Sequence, residues 1–198
     1  MKFLLFLLLG LNLIAADDYS MRLAYGKASS NNLGTIILGD FGSYPQDLSV
    51  FSIDGAYSLK EYENFDIYVK GGVSKFYESA AASPNVYEAV LYVKAYWNID
   101  FLDNRIRLGL GEGGSYTNKI LYVEKAEAAT IENGKTSYFL NYLDVSADFD
   151  LGRLIRYKAM NDTYIGWALK HRSGIFGLIN GVTKGGSNYN TIYIEKNF

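Results

Sequence analysis

The sequence predicts an all-β chain closed as an eight-stranded antiparallel transmembrane β-barrel of the outer membrane. Three observations predict it. Apolar and polar residues alternate with period two over eight windows. The polar face of those windows carries full charges in mid-strand. The connections between them alternate between short and long, as periplasmic turns and external loops do in bacterial outer-membrane barrels. Composition agrees: 18 Tyr and 11 Phe make the chain 16% aromatic, with 20 Gly and only 2 Pro, a mixture that suits strands better than helices.

The first window is Tyr19 to Lys27, with Tyr19, Met21, Leu23 and Tyr25 on one face and Ser20, Arg22, Ala24 and Gly26 on the other. Leu48 to Leu59 sets Phe51, Ile53, Tyr57 and Leu59 against Ser52, Asp54, Ala56 and Ser58. Phe65 to Tyr77 sets Phe65, Ile67, Val69 and Val73 against Asp66, Tyr68, Lys70 and Ser74. Tyr87 to Ile99 sets Tyr87, Leu91, Val93, Trp97 and Ile99 against Glu88, Tyr92, Lys94 and Asn98. A fifth strand begins at Arg105, where Ile106, Leu108 and Leu110 alternate with Arg105, Arg107 and Gly109. Tyr138 to Phe149 pairs Phe139, Leu143, Val145 and Phe149 with Tyr142, Asp144, Ser146 and Asp148. Thr163 to Ser173 and Asn188 to Phe198 complete the set; Ile165, Trp167 and Leu169, then Ile192, Ile194 and Phe198, form their apolar faces.

A soluble sandwich or lipid-carrying barrel would bury the apolar face. An outer-membrane barrel turns it toward lipid and fills a narrow lumen with polar side chains. Arg22, Asp54, Lys70, Lys94, Arg107, Asp144, Asp148 and Lys170 sit mid-strand on the polar face, where opposite charges enclosed in a lumen can pair. That favours the membrane barrel, as does a final strand ending on Phe198. The connection Leu151–Asp162 after the sixth strand is longer than the short-turn rule expects.

Residues 1–16 read as a secretory signal peptide: Lys2, then an apolar run from Phe3 to Ile14, then Ala15-Ala16 before Asp17-Asp18. The barrel is therefore expected over 17–198. Nothing after Ala16 approaches the ~18 consecutive apolar residues of a spanning helix.

Cysteine is absent and His171 is the sole histidine. Disulfide scaffolds, thiolate nucleophiles, iron–sulfur clusters, and cysteine or multi-histidine metal sites are thereby excluded, and no metal is expected. The formal charge of −2 gives no overall attraction to nucleic acid. Gly109 to Gly114 is glycine-rich but lacks the spacing and strand–turn–helix context of a dinucleotide fingerprint, and no G-x-S-x-G nucleophile elbow occurs.

The chemistry-bearing segment is Lys170-His171-Arg172-Ser173-Gly174. His171 and Ser173 are i and i+2 on a strand, so both project from one face, the face of Ile165, Trp167 and Leu169. With both termini periplasmic, odd strands run outward. The pair then lies at the external end of the seventh strand, level with the outer-leaflet interface. One reading is an interfacial strand end, where polar residues cost little. The other is nucleophilic acyl transfer: neutral His171 takes the Ser173 Oγ proton, Oγ attacks an ester carbonyl, and a backbone N–H, best placed at Gly174, stabilises the oxyanion. The substrate would arrive laterally, as an acylated outer-leaflet lipid.

His171-Arg172-Ser173-Gly174-Ile175, Gly185-Gly186-Ser187-Asn188-Tyr189 and Phe139-Leu140-Asn141-Tyr142-Leu143, followed by a last strand ending in Phe, resemble the outer-membrane lipid A 3-O-deacylases, the acyloxyacyl hydrolase family. The resemblance implies an eight-stranded barrel and an ester hydrolase that needs no cofactor. It implies release of the 3-linked hydroxyacyl chain of lipid A, with His171 and Ser173 catalytic on the outer wall and lipopolysaccharide as the partner. The family places a Glu near the start of the final strand to orient the histidine. Here the only acid after Ser173 is Glu195, roughly 20 Å along the strand from Asn188 and facing the lumen by parity. Asn188 and Asn190 have the right parity and height, and an Asn fixes an imidazole tautomer in Cys-His-Asn hydrolases. Asn188 is the expected orienter.

Asn141 lies near the external end of the sixth strand and is a candidate to donate to the oxyanion or bind a sugar. Arg172, of opposite parity, is expected to join the lumen charges, for instance with Asp144 or Asp148. Lys119, Lys125, Lys135 and Lys184 are candidate electrostatic partners for lipid A phosphates. A homodimer is compatible with the sequence. The rival function is a non-enzymatic small barrel, adhesive or structural, acting through its external loops.

Overall fold

The computed structural model describes residues 18–198. The signal peptide expected over 1–16 lies outside the described residues. Eight strands, β1 (Tyr19–Ser29), β2 (Ser49–Tyr62), β3 (Phe65–Tyr77), β4 (Val86–Phe101), β5 (Asn104–Thr117), β6 (Phe139–Asp150), β7 (Thr163–Ser173) and β8 (Ser187–Asn197), close into one barrel in chain order. Every neighbouring pair is antiparallel, and β1 closes on β8 with Ser20 opposite Asn197 and Leu23 opposite Ile194. Full closure leaves no sheet edge, which a spanning β-structure requires because the hydrocarbon offers no hydrogen-bond partner.

The side-chain parity is inside-out relative to a soluble protein. Leu91, Leu110 and Ile192 project outward at 65%, 58% and 69% exposure, whereas Arg22, Asp54, Lys70, Lys94, Arg107 and Asp144 are at most 1% exposed. An apolar wall of this extent is untenable in water and natural against lipid. The enclosed charges pair. Arg22 meets Asp144 at 2.7 Å and Asp54 at 3.3 Å, and Lys70 meets Glu195 at 2.6 Å. Lys94 bonds Asp144, and Arg107 meets Asp148 at 2.8 Å and Glu195 at 3.3 Å. Tyrosines fill the space between; the Tyr92 hydroxyl accepts from Arg22 at 2.8 Å. The glycine-rich run makes room for them. A Cβ at Gly109 would stand 2.6 Å from Lys94 Cε, and one at Gly111 would stand 2.9 Å from the Tyr92 ring.

One end of the barrel holds both ends of the described chain and the turns Glu63-Asn64 and Leu102-Asp103. Leu102 and Asp103 have φ of 50° and 58°, so the β4–β5 turn is the primed type that matches strand twist. Short turns mark this end as periplasmic. The opposite end carries the longer connections, which contain α1 (Leu33–Ile37) and α2 (Tyr122–Ala128). A third helix, α3 (Leu151–Leu154), lies in the long periplasmic connection. The sequence reads these segments as loops, because helices this short show no 3.6-residue period.

Two external connections shape the site. The segment preceding and forming α2 enters the barrel mouth: Leu121 and Val123 join a buried cluster with Leu48, Val50, Phe76, Val86 and Tyr189. The β1–β2 connection lies over the outer wall. Its Phe41 packs on Trp167, ring centroids 5.6 Å apart, and its Phe41 carbonyl accepts from Asn190 Nδ2 at 3.2 Å. Leu169, outward by parity, is consequently fully buried instead of meeting lipid.

Candidate functional site on the outer wall

β7 ends its climb at His171, Arg172 and Ser173, and the alternation sends His171 and Ser173 outward and Arg172 into the lumen. The register then decides which residues join them. Asn188 on β8 and Leu143 on β6 stand directly opposite His171, and Asn141 stands opposite Ser173. One row further, Glu112 on β5 stands opposite Leu143. Directly opposed Cβ atoms lie about 4.5–5.5 Å apart. Glu112, Leu143, His171 and Asn188 therefore form one outward row across four strands, with Asn141 and Ser173 in the next row toward the external rim.

The Asn188 side chain bridges two elements. Its Oδ1 lies 2.7 Å from His171 Nδ1, and its Nδ2 donates to the Asn31 carbonyl at 3.0 Å. A carbonyl can only accept, so the second bond fixes which end of the amide faces the histidine. Oδ1 then accepts from Nδ1–H, which assigns the neutral imidazole its proton on Nδ1 and leaves the Nε2 lone pair free. Among the described residues, neither His171 Nε2 nor Ser173 Oγ makes a hydrogen bond. The structure thus joins His171 to Asn188, and places Ser173 beside His171 without bonding the two.

His171, Ser173, Asn188, Asn141 and Gly174 all line one groove of about 620 Å³ on the exterior. Gly174 is required there by packing, since a Cβ at this position would collide with the Val182 carbonyl. Lys184 lines the groove; Lys119, Lys125 and Lys135 do not. Glu112, Glu127 and the Asn32–Gly34 segment also line it, and the sequence reading missed all of them. Glu112 was findable: extending the alternation Leu108, Leu110 by one step places it on the apolar face.

Arg172 takes its expected place among the lumen charges but not the expected partners. It meets Glu124 at 3.1 Å and Glu88 at 3.9 Å. Asp144 and Asp148 are deeper and already bound by Arg22, Lys94 and Arg107. Glu124 reaches down from α2, and its carboxylate also accepts from Ser187 Oγ at 3.0 Å. It so links Arg172, between His171 and Ser173, with the residue preceding Asn188. Burial pushes the Glu124 carboxyl up to about 7, with Arg172 and Ser187 opposing. Burial also raises Glu78, whose Oε1 accepts from the Tyr122 N–H at 2.7 Å.

Inverted polarity, eight-strand closure and the alternation of turns and loops define the class: a small outer-membrane β-barrel. No family model and no curated protein matches the chain. Solved structures do. The outer membrane enzyme PagL is similar with a TM-score of 0.60 at 9% identity, over 90% of this chain and 99% of that one. Neisserial surface protein A is similar with a TM-score of 0.52 at 14% identity, over 92% and 98%. The fold is common to all three, and the protein is a barrel of the bacterial outer membrane.

Proposed function

We propose that the barrel hydrolyses an ester-linked acyl chain of lipid A in the outer leaflet, the 3-O-linked hydroxyacyl group, with Ser173 as nucleophile and His171 as general base. The observation that carries this reading is the His171 Nδ1–Asn188 Oδ1 bond of 2.7 Å on the outer wall. It prepares an Nε2 lone pair next to a hydroxyl, in a groove open to laterally diffusing lipid. A merely interfacial strand end needs no such arrangement.

In the proposed reaction Nε2 removes the proton from Ser173 Oγ as Oγ attacks the ester carbonyl carbon. The tetrahedral oxyanion accepts hydrogen bonds from the Gly174 N–H and from Asn141 Nδ2. The imidazolium returns its proton to the departing sugar oxygen, leaving an acyl-serine. Water, deprotonated by the same Nε2, then releases the hydroxy fatty acid and restores Ser173. Asn188 holds the ring throughout but adds no charge. Glu112, two strands away, is roughly 10 Å from His171, and at an effective dielectric of about 20 this corresponds to about 1–2 kcal/mol of support for the imidazolium.

The test is the release of free hydroxy fatty acid from lipopolysaccharide by the purified barrel in detergent. His171→Ala and Ser173→Ala are each expected to abolish release while the barrel stays folded. Full activity in both variants contradicts the assignment. A second reading, a non-enzymatic barrel acting through its external connections, draws on the missing Ser173–His171 hydrogen bond. It predicts no release by the unaltered protein.

A further inference from the structure

The long periplasmic connection has no part in the outer-leaflet site. Asp150 ties it down at both ends: Oδ1 accepts from the Arg153 N–H and Oδ2 from the Asp162 N–H, each at 2.9 Å. Arg153 is held by Asp100 at 3.4 Å and Asp150 at 3.5 Å. The segment therefore projects in a fixed way, yet it leaves Leu154, Ile155 and Tyr157 more than half exposed. Beside them Leu102 is 82% exposed. Apolar side chains at this level of a membrane barrel face the boundary between acyl chains and headgroups.

Leu102, Ile106, Phe149 and Leu154 wall a groove of about 550 Å³ on the outside of β5 and β6, with Asp103, Arg156 and the already paired Arg153 also lining it. Among the described residues, neither Asp103 nor Arg156 has an ion-pair partner. One groove thus offers an apolar wall on its membrane side and, at its periplasmic end, one free cation and one free anion. A phosphatidylglycerol headgroup would satisfy the arginine and be repelled by the aspartate. An amine-bearing zwitterionic headgroup satisfies both, its phosphate on Arg156 and its ammonium on Asp103.

We propose that this groove is a binding site for a phosphatidylethanolamine-type phospholipid of the periplasmic leaflet. One acyl chain lies along Ile106 and Phe149, and the headgroup spans Arg156 and Asp103. The site is separate from the ester-cleaving groove, so its test is independent of that chemistry.

The experiment is native mass spectrometry of the intact barrel released from detergent after titration with dioleoyl-phosphatidylethanolamine, -phosphatidylglycerol or -phosphatidylcholine. The proposal expects the ethanolamine lipid to be retained at about tenfold lower concentration than the other two, a difference of about 1.4 kcal/mol. Arg156→Gln and Asp103→Asn should each erase that preference. Both side chains are exposed, and Asn tolerates the left-handed conformation of Asp103, so both variants are expected to fold; heat-modifiable gel mobility checks this. Equal retention of the three lipids, preference for phosphatidylglycerol, or undiminished preference in both variants overturns the proposal.

Discussion

Replacing Asn188 by Asp separates what orients the histidine from what stabilises its charge. In the native protein Oδ1 accepts from His171 Nδ1 at 2.7 Å and Nδ2 donates to the Asn31 carbonyl at 3.0 Å. A carboxylate keeps the first contact and makes it charge-assisted once the imidazolium forms. Hydrogen bonds to charged groups contribute about 1.5–3 kcal/mol against about 1 kcal/mol for neutral ones. The gain of about 1–1.5 kcal/mol appears chiefly in the transition state, and so raises kcat about tenfold. The lost bond to Asn31 sets a carboxylate oxygen against a carbonyl in ground and transition states alike. It costs about 1–2 kcal/mol of stability and leaves kcat unaffected. Asn188→Ala removes the orienting acceptor altogether and should lower kcat about 10- to 100-fold, by analogy with metal-ligating histidines that lose the partner holding their other ring nitrogen. Timed mass spectrometry of hydroxyacyl release, alongside urea unfolding in micelles, reads both quantities. Unchanged kcat in Asp and Ala variants alike would refute the orienting role.

Other outcomes follow from the lumen and the cap. Arg107→Ala strands Asp148 and Glu195 without this partner and should cost about 3–5 kcal/mol in urea unfolding; a loss below 1 kcal/mol would contradict a tightly enclosed network. The Glu124 carboxyl, held near 7 in the folded protein against an ordinary value near 4.5, binds its proton more tightly when folded. Its stabilising contribution is therefore full below about pH 4.5 and is lost as pH rises through 7, by up to about 3 kcal/mol. Unfolding from pH 4 to 8 should show this fall in the native protein and a flatter profile in Glu124→Gln; parallel profiles would contradict it. Glu112→Gln should lower kcat several-fold with KM unchanged, as expected for about 1 kcal/mol of support confined to the transition state.

The strands were legible because two-residue parity is a strong, local signal. Arg22, Asp54, Lys70 and Lys94 fall inside because they alternate with residues that prefer lipid. The same parity, joined to the antiparallel climb of β7 and descent of β8, matched Asn188 to the height of His171. What the sequence hid depends on how connections fold back. Nothing in the local pattern says that Phe41 covers Trp167, that Leu169 is thereby buried, or that α2 sends Glu124 into the mouth to take Arg172 from the deeper aspartates. These contacts join residues far apart in the chain and leave no periodic trace. Glu112 is the intermediate case: it continues the alternation of Leu108 and Leu110 by one step, but the glycines on either side of it carry no side chains to mark the parity.

The most direct measurement is the mass of lipid A extracted from outer membranes that contain the unaltered barrel, the Ser173→Ala barrel, or neither. The account predicts loss of one hydroxyacyl chain with the unaltered protein alone. Identical lipid A in all three, with both barrels folded in the membrane, would contradict it.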